Sequence, residues 1–372
     1  MKKTNLIVIL FLLAVIIVVG GVVFARHNQP NGEKAPINKN TAETPPATPS
    51  PALDPALLSW EQAIAVAPWE GRDSAAVVVY KNKIWLMGGV DGTKRVISPG
   101  NVDYGNSPHF SDVWSSTDGK NWQLVSEKAP WGERRSMQAV DFKGKIWLIG
   151  GWGPEVGYKK DVWSTEDGVK WKLETTSAGW PAREGHQLLV FQNKIWLIGG
   201  VKYTGNRLFN DVWYSSDGKS WTKAAEDAGW SPRWDFASEV FNNKLWMVGG
   251  MDFDGNIYKD IWSSADGIVW SLVNSNPPFA TRQGGGLINY QNKLWVVSRL
   301  NIPLYEGGAN DVWYSNDGVN WQKTEKDPLW TGREDVGVVV FKDRIWVVGG
   351  MDKNWIWKND VWYSTSNIDT KN

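Results

Sequence analysis

The residues of this 372-residue chain that could do chemistry gather at one recurring place. An arginine returns as Arg72, Arg134, Arg183, Arg233, Arg282 and Arg333, and the residue after it runs Asp73, Arg135, Glu184, Trp234, Gln283 and Glu334. Ser136, His186, Asp235 and Asp335 follow within three residues of an arginine. Two carboxyl groups across a glycosidic bond are the equipment of glycoside hydrolysis, and their separation decides retention or inversion. Asp73, Glu184, Glu334 and Asp335 are carboxyl candidates by position, and an enzyme reading would rest on Glu184, His186, Arg135 and Glu334. Aromatic rings beside carboxylates and amides also suit binding without reaction, because sugars present C–H faces and hydroxyls, and peptides fit such walls about as well. The ligand-binding candidates are therefore Arg135, Glu184, His186, Trp234, Asp235, Gln283, Glu334 and Asp335, with Trp152, Arg299, Trp355 and Trp357, which break the repeat described below. No catalytic residue is assigned.

Other chemistries are disfavoured. There is no Cys, so thiolate metal sites, cysteine nucleophiles and disulfides are absent. Three His, one of them His27 near the N-terminus, are too few for a histidine-based metal site. Asp252, Asp254 and Asn256 alternate as in calcium loops, but the glycine and final glutamate of an EF-hand are missing, which leaves an Asp-Gly turn. No cofactor or metal is expected. Forty basic and forty acidic residues cancel, so no net field draws the chain to nucleic acid.

What must position these residues is a repeat. IWLMGG at 84–89 returns as IWLIGG, IWLIGG, LWMVGG, LWVVSR and IWVVGG, the last at 345–350. A second phrase follows each copy: DVWSSTDGKNW from Asp112, then from Asp161, Asp211, Asp260 and Asp311, and a shortened DVWYSTS from Asp360. The period is near 50 residues, with one insertion over 90–111. Each unit reads as four short strands. Asn-Lys and Asp-Gly turns join strands 1–2 and 3–4, as their tolerance of positive φ allows.

Gly-Gly after a β-branched strand, an aromatic on the third strand, a Trp on the fourth and an Arg before the next first strand resemble the kelch repeat of β-propellers, the galactose oxidase/kelch-like class. The resemblance covers residues 57–366. It departs from the usual pattern in fixing Trp on every third strand and in placing Ser298-Arg299 at one Gly-Gly. It implies an all-β, six-bladed propeller of four-stranded blades. The sixth copy lacks its fourth strand, so residues 57–66 should pair with the strand near 360–365 and close the ring. A kelch-type copper oxidase would need a Cys-linked Tyr, which this chain cannot make. Kelch-type sialic-acid epimerases supply the enzymatic alternative. The DG-x-x-W phrase is similar to the Asp-box of sialidases, one residue short. A single active site has no use for five copies, so the phrase marks a turn. Of 27 Trp, all but Trp152, Trp234, Trp355 and Trp357 sit at repeated positions and are expected between blades.

The loops joining strands 2–3 and 4–1 vary and share one face, which is where binding is expected. Tyr104, Phe110, Tyr158, Tyr203, Phe253 and Tyr305 could rim it. The repeated Arg and the Asp at 112, 161, 211, 260, 311 and 360 are expected to pair. Ahead of the propeller, Lys2 and Lys3 precede an apolar run from Leu6 to Ala25, about 30 Å long as a helix. Residues 1–26 are thus expected to be a transmembrane anchor with the propeller outside the cytoplasm. The alternative is a signal cleaved after Val23-Phe24-Ala25, leaving a secreted or periplasmic protein. A Pro-rich linker over 27–56 and a short tail over 367–372 complete the expected layout. The function expected is a membrane-tethered, monomeric module binding a glycan or protein. A sugar-processing enzyme using the carboxylates at the channel mouth is the alternative.

Overall fold

The computed structural model describes residues 54–98, 101–298 and 310–366. The expected anchor, most of the linker, the tail, Arg299 and Tyr305 lie outside the described residues. Among the described residues no helix is long and apolar enough to cross a membrane.

Six four-stranded antiparallel sheets make up the propeller. Blade III is representative, with strands Gln187–Phe191, Lys194–Lys202, Arg207–Ser215 and Thr222–Ala225 in sheet order. The first strands of blades I to VI begin at Ala76, Gln138, Gln187, Trp234, Gly286 and Gly337, and neighbouring first strands touch all the way round. The 1–2 hairpins put two residues in left-handed conformation, for example Gln192 at φ 48° and Asn193 at φ 56°. These are the dihedrals of a type I′ turn, whose twist matches the flanking strands. Blade VI closes as expected. Its fourth strand is Ser59–Ile64, with Ser59 opposite Thr365 and Trp60 opposite Ser364.

The repeated residues are used identically around the ring. Each of the six apolar clusters draws on two adjacent blades, so the core is a set of seams rather than a centre. At five of the six seams the second-strand Trp lies over the Asp-Gly turn of the next blade, and a Cβ on Gly168 would overlap the Trp85 ring. The turn itself is held by its own side chains. Ser116 Oγ accepts from Gly119 N–H at 2.8 Å, and Asp118 Oδ1 accepts from the Lys120 and Asn121 amides. Fourth-strand Trp rings meet the W-x-x-R rings edge to face, as in Trp69–Trp122 at 5.9 Å and 81°. Phe279 fills the same place against Trp321 at 5.2 Å.

The six Arg–Asp pairs form, at 2.5–2.8 Å. Each Arg also donates to the carbonyl at the end of its blade's second strand, Gly88, Gly150, Gly199, Gly249, Ser298 or Gly349. Each Asp takes the indole N–H of the third-strand Trp at 2.6–2.9 Å. The cations and anions of the repeat thus brace three strands of one blade. The departure at Ser298 is accommodated by its hydroxyl, which donates to the Arg333 carbonyl of the next blade at 2.9 Å. In the other blades a Gly-Gly amide donates to the corresponding carbonyl, as Gly89 does to Arg134.

Candidate functional site

The second residue after each repeated Arg builds the mouth of the channel. Ser74, Ser136, Gly185, Asp235, Gly284 and Asp335 all have φ between 49° and 60°. Their amides join blade to blade. Ser74 donates to Asp335, Ser136 to Ser74, Gly185 to Ser136 and Gly284 to Asp235, at 2.8–3.3 Å. These residue types are what the geometry demands, since Gly, Asp and Ser tolerate left-handed backbone better than bulky or branched residues.

In five blades the first residue after the Arg is aimed by a short antiparallel bridge to the residue following Gly-Gly. Arg135 bridges Trp152, Glu184 bridges Val201, Trp234 pairs with Met251, Glu334 with Met351 and Asp73 bridges Val90. Arg135, Glu184, Trp234 and Glu334, together with Gln283, line a pocket of about 440 Å³. Its walls are Tyr104, Trp152, Tyr158, Tyr203, Trp234 and Trp355, and its polar groups come from Arg135, Glu184, Gln283, Glu334, Asp235 and Asp335. Small-molecule pockets commonly run from about 300 to 1,000 Å³. Below it, on the axis, a cavity of about 220 Å³ shares Ser136, Gly185, Asp235 and Asp335 with the pocket and reaches down to Glu239.

The electrostatics are lopsided. Arg135 Nε donates to Glu184 Oε2 at 3.1 Å, and its guanidinium stacks on Tyr104 at 3.9 Å. Gln283 donates its amide to Glu334 Oε2, and Ser74 Oγ donates to Asp335 Oδ2 at 2.8 Å. Burial and then the neighbouring Asp335 push the Glu334 carboxyl up to about 8. Burial, followed by the charge of Asp335, also holds Asp73 and Asp235 well above the usual carboxylate range. Glu184 is raised by burial, against the pull of Arg135. At neutral pH the floor of the pocket is thus a buried acid cluster that keeps part of its protons.

Nine of the expected binding residues line this pocket: Arg135, Trp152, Glu184, Trp234, Asp235, Gln283, Glu334, Asp335 and Trp355. Asp73 sits close enough for the charge of Asp335 to raise it but does not line the pocket. His186 is not in the pocket either. It is fully buried in the blade seam, 6.3 Å from the Trp180 ring, and burial lowers it to about 3, so it is a neutral packing group. Trp357 is turned away as well. It packs with Met351 under the hairpin formed by Val96–Ser98 and Asn101–Val102, in contact with Tyr104. Phe110, expected at the rim, instead covers the Arg72 guanidinium at 4.0 Å. Phe253 backs Trp234 and Tyr203 at 5.1 and 5.7 Å. Asp252 of the alternating acidic loop is occupied by its own loop: it accepts from the Asp254 and Asn256 amides and from the Tyr258 hydroxyl. Among the described residues no group of three His, Cys, Asp or Glu is arranged to hold a metal ion.

Sequence reasoning missed the left-handed ring and Glu239. The ring had a signal, since the residue two after each Arg is always Ser, Gly or Asp. Glu239 had none, because nothing in an edge-to-edge strand pattern says which alternate positions face the axis. No family model and no curated protein matches this chain.

Proposed function

We propose that this propeller is a binding module that holds a small carbohydrate in the pocket on its variable face. The observation that carries the reading is the 440 Å³ concavity in which six aromatic side chains surround carboxyl and amide groups. Aromatic faces suit the C–H faces of a sugar, and fixed polar groups at the base read its hydroxyls. A concavity of this volume fits a small ligand better than the broad surface of a protein partner. The repeat supports a kelch-like lineage for the blades. The apolar run at residues 6–25 supports a tether that displays the module outside the cytoplasm.

The test is a glycan array with the full-length protein in detergent, followed by calorimetry on the best hits. Trp152→Ala and Glu184→Gln, each checked for folding by circular dichroism, are expected to weaken binding tenfold or more. An array without hits, or hits unaffected by both substitutions, would overturn the reading. One observation favours catalysis as a second reading. Glu334, raised to about 8, carries a proton at neutral pH as a general acid must. Turnover of a bound sugar that Glu334→Gln abolishes, with binding retained, would make the module an enzyme.

A further inference from the structure

We propose that the ligand of this pocket is cationic: a sugar-sized molecule bearing a free ammonium group, such as an amino sugar, seated against the carboxyl groups of Glu184, Asp235, Glu334 and Asp335. This rests on the reading of the pocket as a carbohydrate site and specifies the charge of what it takes.

Charge balance is the first argument. Four carboxyl groups line the pocket, with Asp73 near enough to feel Asp335, and they stand against one guanidinium, Arg135. The six repeated arginines of this face cannot help, because each is engaged with the Asp of its own blade. Arg135 itself is committed to Glu184 Oε2 and to the face of Tyr104.

Hydrogen bonding is the second. Glu184 is 2% exposed, and while Oε2 takes Arg135, Oε1 accepts no hydrogen bond at ordinary distance, with the Tyr158 hydroxyl nearby. Asp73 Oδ1 is likewise buried without a donor. Buried acceptors without donors are costly, so a ligand that brings donors to Glu184 Oε1 and Asp73 Oδ1 is favoured. An ammonium brings three donors and no acceptor, whereas a sugar hydroxyl brings one donor together with acceptors of its own.

The shape of the cluster is the third. No three of the carboxyl groups converge as metal ligands among the described residues. A point cation needs such convergence, but an organic cation does not. Trp152, Trp234 and Trp355 supply π faces for the ammonium and its neighbouring C–H groups.

Protons currently do what the cation would do. Tyr104, Tyr158, Tyr203 and Arg135 are the other titratable groups facing the cluster. Desolvation and then these carboxylates raise Tyr104 and Tyr158, so neither relieves the acid charge. A cation entering the cluster lowers the carboxyl pKa values and expels protons. For each proton released, affinity increases about tenfold per unit rise in pH while the free carboxyl is still protonated.

The experiment is calorimetry of the full-length protein with glucosamine, N-acetylglucosamine, glucose and n-butylammonium. Titrations run between pH 5.5 and 7.0 in two buffers of different ionisation heat, which report proton release. The expected result is that glucosamine binds at least tenfold more tightly than either neutral sugar at pH 7.0, with proton release that Glu334→Gln reduces. Neutral sugars binding as tightly as glucosamine, without proton release, overturn the charge inference and leave the carbohydrate reading standing. Butylammonium binding with proton release while every sugar fails supports the charge inference and overturns the carbohydrate reading. Absence of binding by all four overturns both.

Discussion

Arg135 and Glu184 show how narrowly the pocket is balanced. Their pair is nearly dry, with side chains 12% and 2% exposed. Such a pair costs desolvation to form but more to break, since the survivor is left buried and charged. Arg135→Met is therefore expected to lower unfolding free energy by about 3–5 kcal/mol, and Arg135→Met/Glu184→Met to recover most of that loss, read by urea denaturation. Equal losses in the single and double variants would show that the pair does not act as a unit. The acid cluster sets a pH signature of its own. Glu334 rises from 4.5 unfolded to about 8 folded, so between these values the folded state binds the extra proton. Its contribution is full below pH 4.5 and is lost as pH rises through about 8. The unliganded protein should melt at lower temperature at pH 8 than at pH 6, and Glu334→Gln should shrink that difference. Buried His186 and His109, lowered to about 3 and about 4, act in the opposite sense and remove stability as pH falls below 6.5. The candidate site was legible at this scale where a residue differs from its five counterparts. That signal does not report direction, which is why His186 and Trp357 proved to be packing groups. His186 immediately precedes the first strand Gln187–Phe191 and is buried against Trp180, and Trp357 is covered by a hairpin distant in sequence.

At the scale of strands and turns, the Asp-Gly turn does two jobs with one residue. Gly168 has φ 74°, and its bare Cα lets the Trp85 ring of the neighbouring blade lie against it. Gly168→Ala strains the backbone and pushes that ring out of its seam. Overpacking of this kind costs about 1–3 kcal/mol, which a denaturation curve would resolve. Gly157→Ala, where no atom lies within 4 Å, is a control for the backbone strain alone. The Arg–Asp brace makes a matching prediction. Asp161→Asn keeps the shape but leaves the Arg134 charge buried, so blade II should lose more stability than from a surface exchange. These elements were legible because each is written five or six times, and repetition cancels the noise of any one copy. The variable loops are written once. Their conformation depends on contacts such as Tyr104 with Trp357, which no local pattern encodes.

For the whole molecule, closure is the decisive feature. Deleting residues 360–372 removes Asp360, the brace of Arg333, and the strand that joins Ser59–Ile64 to blade VI. Cooperative thermal unfolding should be lost, and a truncated protein melting like the intact one would refute the closure model. The insertion over 90–111 reinforces the same junction, since its hairpin covers Trp357 and Thr93 Oγ1 accepts from the Trp357 amide at 3.3 Å. Blades I and VI are thereby clasped above the sheets as well as within them. Such an arrangement also imposes an order on biogenesis. Residues 59–64 leave the ribosome before any blade exists, yet their strand partner among the described residues is 361–365, about the last part of the propeller to be made. That stretch must wait, unpaired and partly apolar, through the synthesis of some 300 residues, and long loops of this kind close late. An interrupted message would yield complete central blades and an orphaned leading strand, a species that quality-control proteases could tell from the finished ring by its open edge.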